Sequence, residues 1–149
     1  MSNKIVKSGK SKHKFIKIGI DLGTANLLVF VEGEGIIFNE PSVIAFDSES
    51  GKIVAAGKDA HNMIGKVHDK INVIKPLKNG VISDMKAAKS LLSYVLEKVE
   101  NLTGKELYNT ECVMCCPSEV TKIERDIMTE LAVNMGISNV IIDEEIKAG

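Results

Sequence analysis

Tryptophan is absent from this chain, aromatic residues make up only 4% of it, and no segment approaches the run of about 18 apolar residues that a spanning helix needs. A membrane-crossing helix is therefore excluded. The N-terminus likewise lacks the apolar core of a secretory signal, so the expected location is the cytoplasm. What is present is 44% hydrophobic and 26% charged over 149 residues. That balance fits neither a disordered nor a fibrous chain, and a domain of this length buries a sizeable core without disulfides or metal staples.

Cysteine is scarce as well: Cys112, Cys115 and Cys116 are the full set, and three cannot all pair. They fall in Glu111–Cys116, a continuous apolar run that Pro117 ends, which reads as a buried strand. On a strand Cys112 and Cys115 point to opposite faces and lie about 10 Å apart, too far for one metal ion. Reduced core thiols are the expectation, despite the CxxC spelling. His13, His61 and His68 show no mutual spacing that suggests ligation and read as solvated or structural.

Acidic side chains are missing before Asp21, whereas Lys4, Lys7, Lys10, Lys12, Lys14 and Lys17 all precede it. The formal net charge of -1 thus hides a basic arm on an acidic body. Such an arm meets anionic surfaces through charge, at about 1 kcal/mol per lysine near an anionic membrane. A solvated terminal tail is its plainer reading.

Repeats, low-complexity tracts and long linkers are lacking too, which points to one unit. Phe15 to Asp21 and Leu27 to Val31 form a hairpin across a glycine-bearing turn, and short strands follow at Ile36 to Phe38, Ser42 to Phe46 and Ile53 to Ala56. A short helix near Asp59 to Ile64 and an extended piece at Ile71 to Ile74 lead to Pro76 and the turn Asn79-Gly80. Met85, Ala88, Leu92, Val95, Val99 and Leu102 then recur at helical steps, with Ser83 or Asp84 to cap the start and Gly104 the end. After the cysteine strand comes a second helix with Ile123, Ile127, Leu131 and Met135 on one face. Thr121 and Glu124 form its capping box and Gly136 its C-cap. A last strand, Val140 to Ile142, precedes Asp143-Glu144-Glu145. Strands followed by helix, strand, helix, strand imply an α/β fold, a mixed sheet with helices packed on it.

The chemistry concentrates at Asp21-Leu22-Gly23-Thr24-Ala25-Asn26. Small residues in a turn let backbone N–H groups approach a phosphate, while the Thr24 hydroxyl and Asn26 amide add donors. A carboxylate there would repel phosphate unless it holds hydrated Mg²⁺. The lysine and glycine spacing of a P-loop or a dinucleotide-binding fingerprint is missing, and plain hairpin-turn chemistry is the competing reading.

That hexapeptide resembles the first phosphate motif of the actin, Hsp70 and sugar-kinase superfamily, in the spelling of MreB-type bacterial actins. Three further stretches resemble MreB in the same order: Asn39-Glu40-Pro41-Ser42-Val43, then Pro76 with Gly80-Val81-Ile82-Ser83-Asp84, then Cys116-Pro117 with Val120-Thr121. The resemblance implies the first lobe of an actin-like ATPase, of the ribonuclease H-like class. It is expected to have a mixed five-stranded sheet, flanking helices and a small inserted strand-rich subdomain. Residues 1–14 would be the arm and 15–149 actin-like domain I, subdomains IA and IB, cut before the second lobe.

By the same resemblance Gly23, Thr24, Ala25 and Asn26 would bind the phosphates of ATP and Asp21 would reach Mg²⁺ through water. Glu145, or its neighbour Glu144, would orient the attacking water, although two acids opening a helix are also favoured by its dipole. Ile146 departs from the proline usual there, which leaves the choice between Glu145 and Glu144 open. ATPase activity is expected of a full-length protein and not of this lobe alone. Expected partners are further copies in a filament, an anionic membrane surface and other cell-shape proteins, with no nucleic acid. The location implied is peripheral, at the inner face of the cell membrane, through Lys4, Lys7 and Lys10 or through Leu107 and Tyr108. A small-molecule kinase and an Hsp70-like ATPase are the rival readings.

Overall fold

The computed structural model describes residues 16–66, 69–104 and 110–143. Five strands form the main sheet: β1 (Ile16–Leu22), β2 (Asn26–Val31), β3 (Gly35–Pro41), β9 (Thr110–Cys115) and β10 (Asn139–Asp143). Their order is β10-β9-β1-β2-β3, with β10, β9 and β1 parallel and β1, β2 and β3 antiparallel. The insert between β3 and the long helix carries β4 (Ile44–Asp47), β5 (Ile53–Ala56), helix α1 (Lys58–His61) and β6 (Ile71–Ile74). These strands make a separate sheet of order β5-β4-β6. A hairpin, β7 (Leu77–Lys78) and β8 (Val81–Ile82), leads into α2 (Met85–Thr103), and α3 (Lys122–Asn134) joins β9 to β10. The α/β class is as the order of elements implies, and the mixed five-stranded sheet is as the family resemblance implies.

Period-2 alternation decides which face is buried. Ile18, Ile20 and Leu22 of β1, Leu27, Val29 and Val31 of β2, and Cys112 and Met114 of β9 point to one side. There they pack in a single cluster with Leu91, Leu92, Val95, Leu96 and Val99 of α2 and Met128 and Ala132 of α3. Both helices therefore cover the same face. The alternate residues Phe30, Ile36, Val113 and Ile141 stand on the other face and are exposed.

The helix ends follow their caps. Asp84 accepts a hydrogen bond from the Ala87 amide at 2.9 Å, and Gly104 closes α2 in the left-handed conformation. Thr121 and Glu124 make the reciprocal capping box of α3. Its C-cap is Met135, with Gly136 at φ 113 one step later.

Four details differ from the sequence expectation. Leu102 is 56% exposed, the buried stripe of α2 ending at Val99, and Ile123 is 73% exposed because the buried stripe of α3 runs through Met128 and Ala132 instead. The helix expected at Asp59 to Ile64 stops at His61, since Met63 and Ile64 donate to carbonyls three residues back and tighten the chain into turns. The strand expected from Ser42 starts at Ile44, because Ser42 spends its amide and hydroxyl on the β1–β2 turn.

Candidate functional site

The register of the parallel strands puts three strand ends on one level. Asp21 of β1 pairs with Cys115 of β9, and Cys115 pairs with Asp143 of β10. Two strand spacings, about 10 Å, separate the backbone of Asp21 from that of Asp143. At this carboxyl end the chain emerges from β1 into the β1–β2 turn, from β9 into Cys116-Pro117, and from β10 toward Glu144 and Glu145. In open α/β sheets ligands bind outside this end of the strands.

The turn itself is held on three sides. Inside it, the Gly23 amide donates to the Asn26 carbonyl at 3.1 Å, and a Cβ on Gly23 would sit 2.7 Å from that oxygen, so only glycine closes the turn this tightly. Buried Ser42, just after β3, braces it: its hydroxyl donates to the Gly23 carbonyl at 2.7 Å and its amide to the Ala25 carbonyl at 2.9 Å. From the β7–β8 hairpin the Gly80 amide donates to Thr24 Oγ1 at 3.1 Å. Asn79 and Gly80 take φ 52 and 80, the left-handed pair a two-residue hairpin loop requires. Gly80 also abuts the loop after β9, where its missing Cβ would lie 3.0 Å from Glu119 Oε1. Turns from three separate parts of the chain thus converge.

The bracing leaves particular groups open. Thr24, Ala25 and Asn26 are exposed. The amides of Thr24 and Ala25 make no hydrogen bond among the described residues, whereas that of Gly23 is spent within the turn. Two outward N–H groups, a hydroxyl and a side-chain amide on a rigid turn form a small anion-binding concavity. Asp21 is exposed at the end of β1, and its carboxylate has no hydrogen bond or ion pair among the described residues. It opens onto the face opposite α2 and α3, where it is the charged residue lining a cavity of about 280 Å³ with Gly19, Phe30, Val113 and Cys115. One carboxylate suits magnesium, which keeps several waters and takes its remaining ligands from phosphate. No cluster of three or more metal-ligating side chains occurs among the described residues.

Cys112, Cys115 and Cys116 are buried, and none of them is in a disulfide. Burial pushes Cys112 up to about 12 and Cys116 to about 11, so both are protonated and inert at neutral pH. Lys4, Lys7, Lys10, Leu107, Tyr108, Glu144 and Glu145 lie outside the described residues. Two supports carried no role in the sequence reading, Ser42 and Gly80. Both fall inside the ordered stretches that follow the hexapeptide, which was the available signal. No described helix is long and apolar enough to cross a membrane.

A profile of the MreB/Mbl protein family matches residues 15–149. The chain is 42% identical over 131 residues to the cell shape-determining protein Mbl of Bacillus subtilis (strain 168), covering 87% of this chain and 38% of that protein. It is 37% identical over 132 residues to the cell shape-determining protein MreB of Escherichia coli (strain K12), covering 86% and 38%. Among solved structures, MreB5 of Spiroplasma citri bound to ADP superposes with a TM-score of 0.76 at 39% identity, covering 89% of this chain and 39% of that one. The MamK double helical filament, at a TM-score of 0.66 and 20% identity over 87% of this chain and 41% of that one, shares the fold. The chain thus spans well under half the length of the relatives it matches.

Proposed function

This chain belongs to the MreB/Mbl protein family, and from that premise we propose that it is the phosphate-gripping lobe of an actin-like, ATP-dependent filament protein of the bacterial cell-shape cytoskeleton. The observation that carries the proposal is the braced β1–β2 turn with the unpaired Thr24 and Ala25 amides, set beside Asp21 on a flush row of strand ends. In this reading the Thr24 and Ala25 amides and the Asn26 side chain hold phosphate oxygens, and Gly23 serves by its shape, its own amide being taken. Asp21 holds the water shell of Mg²⁺, whose charge offsets that of the triphosphate. Glu145, or Glu144, one or two residues beyond β10, orients the attacking water. MreB5 of Spiroplasma citri has been crystallised with ADP and with AMPPNP, and MamK forms a double helical filament. Those properties support the same assignment for this chain: nucleotide at the turn and further copies as partners. The domain division follows the same logic, with residues 1–14 as the arm and 15–149 as domain I.

The attachment surfaces belong to the proposal too. Lys4, Lys7 and Lys10 meet an anionic membrane by charge, and Leu107 with Tyr108 insert between lipids. That puts the protein in the cytoplasm, peripheral to the membrane, within reach of other cell-shape proteins. Liposome sedimentation with the arm deleted, and separately with Leu107 and Tyr108 made polar, tests this. Unchanged binding in both would remove the membrane from the reading.

For the nucleotide, the test is an amide-resolved NMR titration of the chain with Mg²⁺–ATP and with inorganic triphosphate. Both should shift Thr24, Ala25, Asn26 and Gly80 first and only at millimolar concentration, because a site this exposed interacts weakly in high dielectric. Shifts centred elsewhere, or none, would refute the assignment. Micromolar affinity by calorimetry would contradict the view that this lobe is only part of a clamp.

A further inference from the structure

A groove on the inserted subdomain, remote in sequence from the β1–β2 turn, has a composition of its own. It has a volume of about 460 Å³, and Met63, Ile71 and Val73, partly buried against the small core of the insert, give it apolar side chains. Lys66, Lys75 and Lys78 line it too, and all three are exposed. None of them forms an ion pair among the described residues, where the one such pair is Lys122 with Asp126, on α3. Three like charges around one groove repel one another, and no described ion pair relieves that repulsion. An occupant bearing carboxylates would.

One wall of the groove is an edge strand. In the sheet β5-β4-β6, β6 pairs with β4 alone among the described residues. Its outer edge therefore offers unpaired N–H and C=O groups to an added strand. A strand laid there presents alternate side chains to opposite faces, so apolar residues at one period can enter the trough while acidic residues at the other reach the lysines. From this juxtaposition we propose that the groove docks an extended peptide segment of a partner protein, alternating acidic and apolar residues, by strand addition to β6. The chain's own basic arm has the wrong charge to fill it. A bilayer is the wrong shape, since it calls for protruding apolar side chains and Ile64, 42% exposed, is the one such residue at the trough.

The test uses the full chain and a labelled ten-residue peptide alternating Glu and Val, read by fluorescence anisotropy. A Lys and Val peptide and a version with proline at alternate positions are the controls. The acidic peptide should bind at least about tenfold more tightly than either, and weaken as salt rises. The triple variant K66E/K75E/K78E, whose exposed positions should leave the melting temperature unchanged, should lose binding by about tenfold or more and favour the lysine peptide. Equal binding of the acidic and basic peptides, retained binding of the proline peptide, or an unaffected triple variant would each overturn the proposal. So would either of two other occupants. Vesicles containing phosphatidylglycerol that bind through these lysines without competition from the peptide would make the groove a lipid site. Self-association in sedimentation that the triple variant abolishes would make it a contact between copies.

Discussion

At the residue scale, the candidate site rests on side chains that never touch a ligand in the proposed mode. Ser42 is 1% exposed, and its hydroxyl is the donor that fixes the Gly23 carbonyl. Ser42→Ala should cost about 1–3 kcal/mol in denaturant unfolding, since the carbonyl it leaves behind is partly buried. The NMR shifts of Thr24 and Ala25 should move with it; unchanged stability would mean the brace is incidental. Gly23→Ala should be worse, because the added Cβ meets the Asn26 carbonyl, a backbone atom that cannot swing aside. The buried thiols give a pH dependence with a definite sign. Cys112 and Cys116 ionise at a higher pH folded, about 12 and about 11, than their ordinary 9.0. Below pH 9 both states keep the protons and the stability is fully present. As pH rises above 9 the unfolded chain loses them first, so stability falls through about 11 and about 12, by up to about 1.4 kcal/mol per pH unit for each thiol. Unfolding free energies measured across that window should decline, and Cys112→Ala should flatten the decline.

At the element scale, caps and alternation explain why much of the fold was legible. Asp84, Gly104, Thr121 and Glu124 announce helix ends by local chemistry, and each does so in the structure. Removing such a device has a local cost: Thr121→Ala should destabilise by about 1 kcal/mol in thermal or denaturant melts, and Glu124→Gln by less. No change for Thr121→Ala would mean that packing alone sets the start of α3. What stayed hidden depends on partners distant in sequence. Four-residue spacing placed Ile123 on the buried face of α3, but helical periodicity gives only relative angles, and contact with α2 and β10 chooses the stripe through Met128 and Ala132. Ser42 reads as one more strand residue until the β1–β2 turn is folded against it. The Thr24 to Gly80 bond spans 56 positions, and no local pattern encodes it. The hexapeptide was thus legible as a phosphate-sized turn, and its bracing was not.

At the scale of the whole molecule, the described residues cover the sheet on one side only. Its parallel part, β10-β9-β1, is of the kind ordinarily covered on both faces, and α2 and α3 both lie on the first. The second face carries Phe30 at 44%, Ile36 at 59%, Val113 at 40% and Ile141 at 52% exposure, with Gly19 between the first and third adding no side chain of its own. Half-exposed apolar residues on four of the five strands, two on either side of Gly19, make a patch of the kind that monomeric folds rarely leave open. The folded chain should therefore bind a hydrophobic dye such as ANS while keeping native near-ultraviolet dichroism, which separates it from a molten state. Replacing Phe30 and Val113 by threonine should lower the dye signal several-fold and raise solubility. Stability should change by no more than about 1 kcal/mol, because threonine suits a pleated strand and little buried area is lost. The core-facing substitution Val29→Thr is the control: Val29 is fully buried, so that change should lower stability and leave the native-state dye signal in place. A dye signal no greater than that of a covered α/β domain, or one indifferent to Phe30 and Val113, would mean the second face is not the apolar surface its alternation implies.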